Sequence, residues 1–311
     1  IIMVCSFVRS GSTLLHNLLH HAQGEGRSRA LLKWESMSPF PLCAAGSLRT
    51  DPRVRQIGAM LNRVKASSPL AAMHWVSADE PEETCFFAHD LWGLAGQSIS
   101  HMLPRWKDFL ADSSNARCAF VNLRRVVRLM CVHNPPAPGA RLVLKCPQDT
   151  PHISTFADVF PEARVVMLHR DPKRVLESLS YMMEQNNLTF RSAPPIPAED
   201  IVRENLEVPA EAMMNFAAAR RTEVINVKYE SLLDSPGSVV RDILRACGVE
   251  VHGPDVEVRV GRFLAAQRGT REKPPRFHAP AHEDLDAPLV RQRLSRYIET
   301  FGVREEVAPR V

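Results

Sequence analysis

The stretch IIMVCSFVRSGSTLLHNLL, residues 1–19, decides the fold. Its first eight residues form an apolar, β-branched run that predicts a buried strand, and the leucines that follow recur at the spacing of one helix face. Between strand and helix, Gly11 permits a tight turn. The backbone N–H groups of this turn and the positive end of the helix dipole then form a cradle for an anion. The sequence therefore predicts a phosphate-binding loop that consists of Arg9, Ser10, Gly11, Ser12, Thr13 and Leu14.

An ordinary strand-to-helix turn, whose Ser and Thr side chains only cap the helix, would produce the same local pattern. A nucleoside triphosphate hydrolase is disfavoured, because the Walker pattern needs a Gly five positions before Gly11 and a Lys directly after it. Both positions are Ser in this chain. Arg9 is thus the cation of the loop, and its guanidinium can donate charge-assisted hydrogen bonds to an oxyanion.

Three more segments are predicted to be strands of the same sheet: residues 142–146, 163–169 and 223–229. Each is followed by a predicted helix with a proline in its first turn: Pro151, Pro172 and Pro236. Four strands that alternate with helices indicate an α/β fold, in which helices cover both faces of a mainly parallel sheet.

The remaining regions are predicted in less detail. Residues 48–133 are expected to be chiefly helical, and a last helix is expected near 288–301, with Leu289 among its buried residues. The segments 191–209 and 266–288 are rich in proline and charge and lack a sustained period, so we expect mobile cover over a cleft. We expect residues 1–311 to form a single domain.

The composition is that of an ordinary globular protein, with 45% apolar and 24% charged residues in 311. The net charge of +4 is spread among acids, so nucleic-acid binding is not expected. The seven cysteines show no C-x-x-C pair, which predicts reduced, mostly buried thiols and no metal site. No membrane span or signal peptide is evident, so we expect a cytoplasmic protein. Because the chain opens in a strand without Met, a missing N-terminal anchor stays open.

A second candidate anion site lies at His169-Arg170-Asp171-Pro172, with Ser178 in the following helix. The carboxyl ends of parallel strands meet at one edge of a sheet, which places Arg170 beside the Arg9 loop. Its guanidinium suits phosphate binding. Alternatively, Arg170 is only a surface partner of Asp171.

Together these motifs resemble the sulfotransferases that use 3′-phosphoadenosine 5′-phosphosulfate, in the branch whose phosphosulfate loop reads Arg-(Ser/Thr)-Gly-(Ser/Thr)-Thr. The resemblance implies a P-loop-like fold, a 5′-phosphosulfate site at the Arg9 loop and a 3′-phosphate site at Arg170 and Ser178. Tyr229 begins a Tyr-x-x-Leu-x-x-x-Pro segment similar to the one that contacts the adenine side of the nucleotide. Arg268 and Gly269 weakly resemble a late loop that touches the 3′-phosphate. A core aromatic and a solvated loop are the respective alternatives.

The resemblance also implies three catalytic candidates: Glu35, His74 and Lys145. Glu35 stands in Trp-Glu…Pro and is the first choice for the general base, unless it is only a solvated acid near Lys33. His74 is the second choice for the base, or a contact to the acceptor. Lys145, in Leu-Lys-Cys-Pro, is expected to stabilise the sulfuryl and the leaving phosphate. The acids that follow His74, which are Asp79, Glu82 and Glu83, are expected to be loop scaffolding.

The sequence therefore predicts transfer of a sulfuryl group from the phosphosulfate donor, without a metal, to a hydroxyl or amine of a small-molecule or carbohydrate acceptor. Two other functions stay open. A P-loop kinase for a small molecule would need a loop Lys and an Asp that holds Mg²⁺, for which Asp171 is the candidate. A non-catalytic nucleotide-binding module would bind the product nucleotide without turnover. The acceptor and the oligomeric state cannot be derived from the sequence.

Overall fold

The computed structural model describes residues 1–24, 26–67, 77–87, 104–190, 198–220, 224–270 and 287–306. Its centre is a five-stranded sheet in the order β2-β3-β1-β4-β5, with every neighbouring pair parallel. The strands are β1 Ile2–Ser6, β2 Arg29–Ala30, β3 Leu142–Lys145, β4 Arg164–His169 and β5 Val224–Lys228. The four predicted strands are confirmed. The fifth, β2, is two residues long and has no sequence period that could predict it.

Helices connect the strands and cover the sheet. Those before β3 are α1 Ser12–Ala22, α2 Lys33–Met37, α3 Pro52–Ser67, α4 Pro104–Ala111 and α5 Ser113–Met130. Those between β3 and β5 are α6 Ile153–Val159, α7 Pro172–Phe190, α8 Ala198–Val202 and α9 Val208–Ala219. Those after β5 are α10 Tyr229–Asp234, α11 Pro236–Ala246, α12 Gly253–Thr270, α13 Ala287–Arg293 and α14 Ser295–Phe301. Short 3₁₀ turns occupy Thr84–Phe86 and Pro147–His152.

The sheet separates two hydrophobic cores, because successive side chains of a strand point to opposite faces. In β1, Met3 and Cys5 join the core made with helices α5, α6, α7 and α9. Ile2 and Val4 join the core made with helices α1, α11 and α12. The predicted three-layer α/β sandwich is therefore confirmed. Parallel strands within one sheet place the loops after β1, β3 and β4 at the same edge.

Part of the expected cover segment 191–209 belongs to the core instead. Residues 198–209 are helical, with a single π turn at Arg203–Glu207 between α8 and α9. Ile201 and Leu206 are buried against the sheet side that holds α7. The sequence analysis did not detect the short helical spacing of apolar residues in this segment because prolines flank it. Residues 191–197 lie outside the described residues. Of 266–288, residues 266–270 end α12, 287 and 288 begin α13, and 271–286 are outside.

The predicted last helix is two helices, α13 and α14, which meet at Leu294. Tyr297 is fully buried, but Leu289 is 47% exposed and the prediction of its burial is wrong. Leu289 lies in the first turn of α13, where the break at Leu294 directs it away from the core. Gly302 ends α14 with a φ of 58°, the left-handed conformation that glycine adopts without strain.

All seven cysteines are free thiols and five of them are buried, as predicted. Within the described ranges, no helix combines the length and the apolar composition that crossing a membrane requires.

Candidate functional site

The loop between β1 and α1 has the backbone of an anion cradle. Gly11 is the N-cap of α1 with a φ of 93°, and Arg9 also has a left-handed φ, 67°. No side chain caps this helix. Ser10 is buried and donates its hydroxyl to the Phe7 carbonyl at 2.7 Å, which closes the loop on itself. The capping alternative therefore does not hold, and the positive end of α1 faces the cleft.

Tyr229 lies directly against this loop. A Cβ atom placed on Gly11 would lie 2.5 Å from Cε2 and 2.8 Å from Cδ2 of the Tyr229 ring. Such distances are shorter than any real contact, so only glycine fits between the loop and the ring. On its other side, the Arg170 guanidinium stands 4.2 Å from the ring centroid. Tyr229 is half-buried and contacts both the loop at Gly11 and the Arg170 guanidinium.

The two predicted anion sites are in direct contact. Arg170 follows β4, and its Nη1 donates to the Arg9 carbonyl at 3.0 Å. The Arg9 Nε donates to the Ser178 hydroxyl, which is part of α7, at 3.1 Å. Burial, joined by the charge of Arg170, lowers the pKa of Arg9 from its usual value. The structure therefore confirms the predicted proximity of Arg9, Arg170 and Ser178.

Arg170 also forms an ion pair that the sequence did not predict. Its Nε and Nη2 donate to the two carboxylate oxygens of Glu306 at 2.8 and 3.1 Å. Burial alone would lower the pKa of Arg170, but the hydrogen bonds that it donates to Glu306 raise it above its usual value. The expected surface partner, Asp171, instead accepts from Arg291 at 2.6 Å and from the Glu306 backbone N–H at 2.9 Å. The residues after α14 therefore lie against the start of α7.

Lys145 ends β3 with its side chain 1% exposed. Its Nζ donates to the Glu83 carboxylate at 2.6 Å and to the Thr13 hydroxyl at 3.2 Å. Burial acts to lower the pKa of Lys145, but the charges of Glu83 and Glu82 raise it above its usual value. The ammonium group therefore lies, charged and buried, beside the first turn of α1, and its role in catalysis stays a prediction.

Glu35 does not have the environment expected of a general base. It is 2% exposed, and Arg29 donates to its two oxygens at 2.8 and 2.5 Å. The Leu32 N–H donates to the same carboxylate at 3.0 Å. Trp34 is buried as predicted, and Glu35 is buried together with its arginine partner. The ion pair joins α2 to β2, and the base role of Glu35 stays a prediction.

Three predicted site residues remain: His74, Arg268 and Gly269. His74 lies outside the described residues. Arg268 and Gly269 belong to the last turn of α12 rather than to a loop, so the resemblance to a late phosphate-binding loop is not supported by the backbone.

The Trp-Glu and Pro-Glu-Glu motifs, 45 residues apart in the chain, pack together. The Trp34 N–H donates to the Ala78 carbonyl at 2.9 Å, and the Glu82 N–H donates to the Leu31 carbonyl at 2.9 Å. Lys33 forms an ion pair with Glu82 at 3.0 Å. The hydrogen bonds between these two segments place Glu83 next to Lys145. The sequence analysis did not predict the contact between Glu83 and Lys145, although two adjacent acids in a polar segment were a signal for an ion pair.

One cluster of metal-binding side-chain types occurs within the described part of the chain. Donor atoms of Glu83, Cys85 and Cys146 lie within 4.8 Å of one another. Its charge is already balanced by Lys145, which contacts Glu83. The pKa of the Cys85 thiol is raised well above its usual value, first by a hydrogen bond with Cys146 and then by burial. The cluster therefore consists of two buried thiols beside an ion pair.

Comparison with known proteins gives consistent results. The model of the "Sulfotransferase family" matches residues 2–253. No curated protein is similar enough in sequence to count as a match. Among solved structures, sulfotransferase STF9 from Mycobacterium avium is 22% identical with a TM-score of 0.77, over 99% of this chain and 78% of that one. Sulfotransferase STF1 from Mycobacterium tuberculosis H37Rv is 20% identical with a TM-score of 0.68, over 95% and 76%. These two similarities establish the shared fold.

Proposed function

The chain belongs to the sulfotransferase family and is an enzyme that takes a sulfuryl group from 3′-phosphoadenosine 5′-phosphosulfate; from this premise we propose which residues do the work. The 5′-phosphosulfate binds at the loop of residues 9–14 and the 3′-phosphate at Arg170 and Ser178. Tyr229 lines the adenine side. Lys145 stabilises the group in transfer.

The observation that carries this proposal is the chain of contacts from Ser178 through Arg9 to Arg170. β1 and β4 are neighbours, with Ser6 opposite Leu168, so their carboxyl ends present the two cations side by side. A donor with phosphates at both ends of one nucleoside needs two such anion sites close together. A nucleoside triphosphate carries its phosphates in one row and would use only the first.

Transfer requires three things of the protein. The acceptor must lose a proton, the sulfuryl must be held in line between acceptor and leaving phosphate, and the charge on the leaving phosphate must be stabilised. The Lys145 ammonium and the Arg9 guanidinium stand on opposite sides of the loop and suit the last two tasks. Because the sulfuryl carries a single negative charge, these two cations suffice without a Mg²⁺ clamp. We propose a hydroxyl or amine acceptor of small-molecule or carbohydrate type.

Thermal unfolding with 3′-phosphoadenosine 5′-phosphate and with AMP tests the donor site. The bisphosphate should raise the melting temperature by mass action and AMP should raise it much less. Arg170→Ala should abolish the difference between the two ligands. Arg241→Ala is the control, because Arg241 lies on α11 and pairs with Glu257 at 3.1 Å, and it should keep the difference. Equal shifts for AMP and the bisphosphate in the unmodified protein would exclude the 3′-phosphate site.

Transfer from donor labelled in the sulfuryl group, to a panel of alcohols, phenols, sugars and amines, tests the reaction itself. Turnover should be independent of added chelator. Label transfer that requires Mg²⁺ and a nucleoside triphosphate would indicate a kinase. Tight binding of the bisphosphate with no transfer to any acceptor would indicate a nucleotide-binding module.

A further inference from the structure

We propose that Glu83 is the general base of the sulfuryl transfer, a role that rests on the function proposed above. The sequence predicted loop scaffolding for this residue and gave the base to Glu35. In the structure, Glu35 forms an ion pair with Arg29, and Glu83 forms one with Lys145, the lysine beside the loop of residues 9–14.

The position of Glu83 is fixed by the backbone on both sides of it. The Glu82 N–H donates to the Leu31 carbonyl, and the 3₁₀ turn Thr84–Phe86 begins directly after Glu83. The carboxylate of Glu83 reaches Lys145 at 2.6 Å, and the same ammonium reaches Thr13 at 3.2 Å. Thr13 is the second residue of α1, whose first turn faces the anion. Glu83 therefore stands next to the group that the loop holds.

Two other carboxylates of the predicted motifs, Glu82 and Glu35, are paired with cations that have no role in the proposed transfer. Glu82 pairs with Lys33 at 3.0 Å and accepts the Glu83 N–H at 2.8 Å. Glu35 accepts two hydrogen bonds from Arg29 and one from the Leu32 N–H. Neither partner has a place in the chemistry, so neither carboxylate is released during the reaction. The cation that contacts Glu83, Lys145, is in contrast one of the two to which the proposed function assigns a role in the transfer.

The proton and the bonds balance in a single displacement. As the donor binds, the Lys145 ammonium moves from Glu83 to the sulfuryl oxygens and the leaving phosphate, which frees a carboxylate oxygen. The acceptor O–H or N–H gives its proton to Glu83 while the acceptor atom forms the new bond to sulfur. The bond from sulfur to the bridging oxygen breaks, and its electron pair stays with the 5′-phosphate. The donor thereby uncovers the base only when a sulfuryl group is present.

The charge state of the pair agrees with this order of events. The charges of Glu83 and Glu82 outweigh burial and raise the pKa of Lys145, so its ammonium keeps its proton near neutral pH. A charged Lys145 is attracted to the more negative donor. It leaves behind a carboxylate that is ready to accept a proton.

The test compares Glu83→Gln with Glu82→Gln in the full chain, at saturating donor and acceptor. Glu83→Gln should keep the melting shift given by the bisphosphate and lose roughly two to four powers of ten in turnover. The acidic limb of its pH–rate profile should disappear. Glu82→Gln should retain turnover within a few-fold, together with the acidic limb. Glu83→Asp should recover part of the rate.

A second variant separates the loss of the base from a loss of folding. Glu83→Ala should be inactive alone and regain activity with added formate, a carboxylate small enough for the space left by the side chain. Glu35→Ala should lose stability and gain nothing from formate. Turnover of Glu83→Gln within threefold of the unmodified enzyme, or an unchanged acidic limb, would overturn the proposal for Glu83 alone. Absence of both sulfuryl transfer and bisphosphate discrimination in the unmodified enzyme would overturn the proposed function, and Glu83 with it.

Discussion

Two ion pairs involve the cations that we propose for the two ends of the donor site, and they differ in how deeply they are buried. In the first, Lys145 and Glu83 have side chains 1% and 12% exposed. In the second, Arg170 and Glu306 are 19% and 17% exposed. Each joins a cation at a strand end to a carboxylate from a distant part of the chain. In both, the cation that an anionic ligand needs is already held by an acid of the protein.

The difference in burial decides what each pair does. Separating a buried pair strands a charge away from water and costs several kcal/mol, so Lys145 can leave Glu83 only when another anion takes its place. The Arg170–Glu306 pair is somewhat more accessible to water, so we expect a phosphate to displace Glu306 at a lower cost than an anion displaces Glu83. Under the proposed function, the sulfuryl end would then be the more selective of the two.

Removing one partner of the buried pair is expected to have the largest effect. Lys145→Ala leaves Glu83 buried with its charge uncompensated, and it should lower the free energy of unfolding by roughly 3–5 kcal/mol. Turnover at saturating donor should fall by about two to three powers of ten. Denaturant unfolding and single-turnover rates measure the two losses. The double variant Lys145→Ala with Glu83→Ala should regain most of the stability and none of the activity. Equal instability of the single and double variants would show that the pair is not coupled.

Arg9→Ala tests the cation that lies between the two ends. We expect the barrier to rise by on the order of 3 kcal/mol, because a preorganised donor to the transferring group is lost. Binding of the bisphosphate should weaken much less. Calorimetry and turnover at saturating donor separate the two effects. Normal turnover with poor nucleotide binding would mean that Arg9 serves the nucleotide rather than the sulfuryl.

Gly11→Ala should disturb the contact between the loop and the Tyr229 ring. The new Cβ would lie 2.5 Å from the Tyr229 ring, in a backbone conformation with a φ of 93° that costs alanine roughly 1–2 kcal/mol. The ring must move, so binding of the bisphosphate should weaken together with stability. Gly261→Ala is the matched control: nothing lies within 4 Å of its Cβ, and it should leave stability equal or improved by about 1 kcal/mol. Unchanged nucleotide binding in Gly11→Ala would place Tyr229 outside the site.

Glu306→Gln should have the smallest effect, and in the opposite direction. With the competing carboxylate neutralised, affinity for the bisphosphate should rise about two- to fivefold at low salt. Affinity for AMP should stay constant, and so should the melting temperature without ligand. The gain should fade in high salt, since exposed charges are screened. Glu305→Gln, in the same segment and paired with Lys173 at 3.6 Å, is the control and should show no gain. Weaker binding in Glu306→Gln would mean that Glu306 orients Arg170 for the phosphate.

The sequence predicted what depends on local pattern and missed what depends on distant pairing. Arg9, Arg170 and Ser178 were found because each follows a strand whose apolar run is visible in the sequence, and the geometry of a parallel sheet brings such positions together. The base role of Glu35 stays a prediction, and its partner Arg29 could not be foreseen because Arg29 belongs to a two-residue strand without a period. Glu306 is 136 residues from Arg170, and no local signal marks a carboxylate for a partner so far away. The predictions of mobile cover for residues 198–209 and of burial for Leu289 were wrong for a related reason. Whether a short helix is buried depends on the elements that pack against it, and these are not visible in its own sequence.

The guanidinium of Arg170 donates hydrogen bonds from two of its edges to two different acceptors. Its Nη1 donates to the Arg9 carbonyl and so helps to hold the loop in its left-handed turn. Its Nε and Nη2 donate to the Glu306 carboxylate, which an anionic ligand can replace. A ligand can therefore replace Glu306 without loosening the loop on the far side of the same side chain. A lysine ammonium carries its donors on one nitrogen and lacks the planar fork, so it could not present two parallel N–H groups to the ligand while a third holds the backbone in this geometry. Recognition at one end of the nucleotide and the shape of the pocket at the other end are thus held by the same planar group.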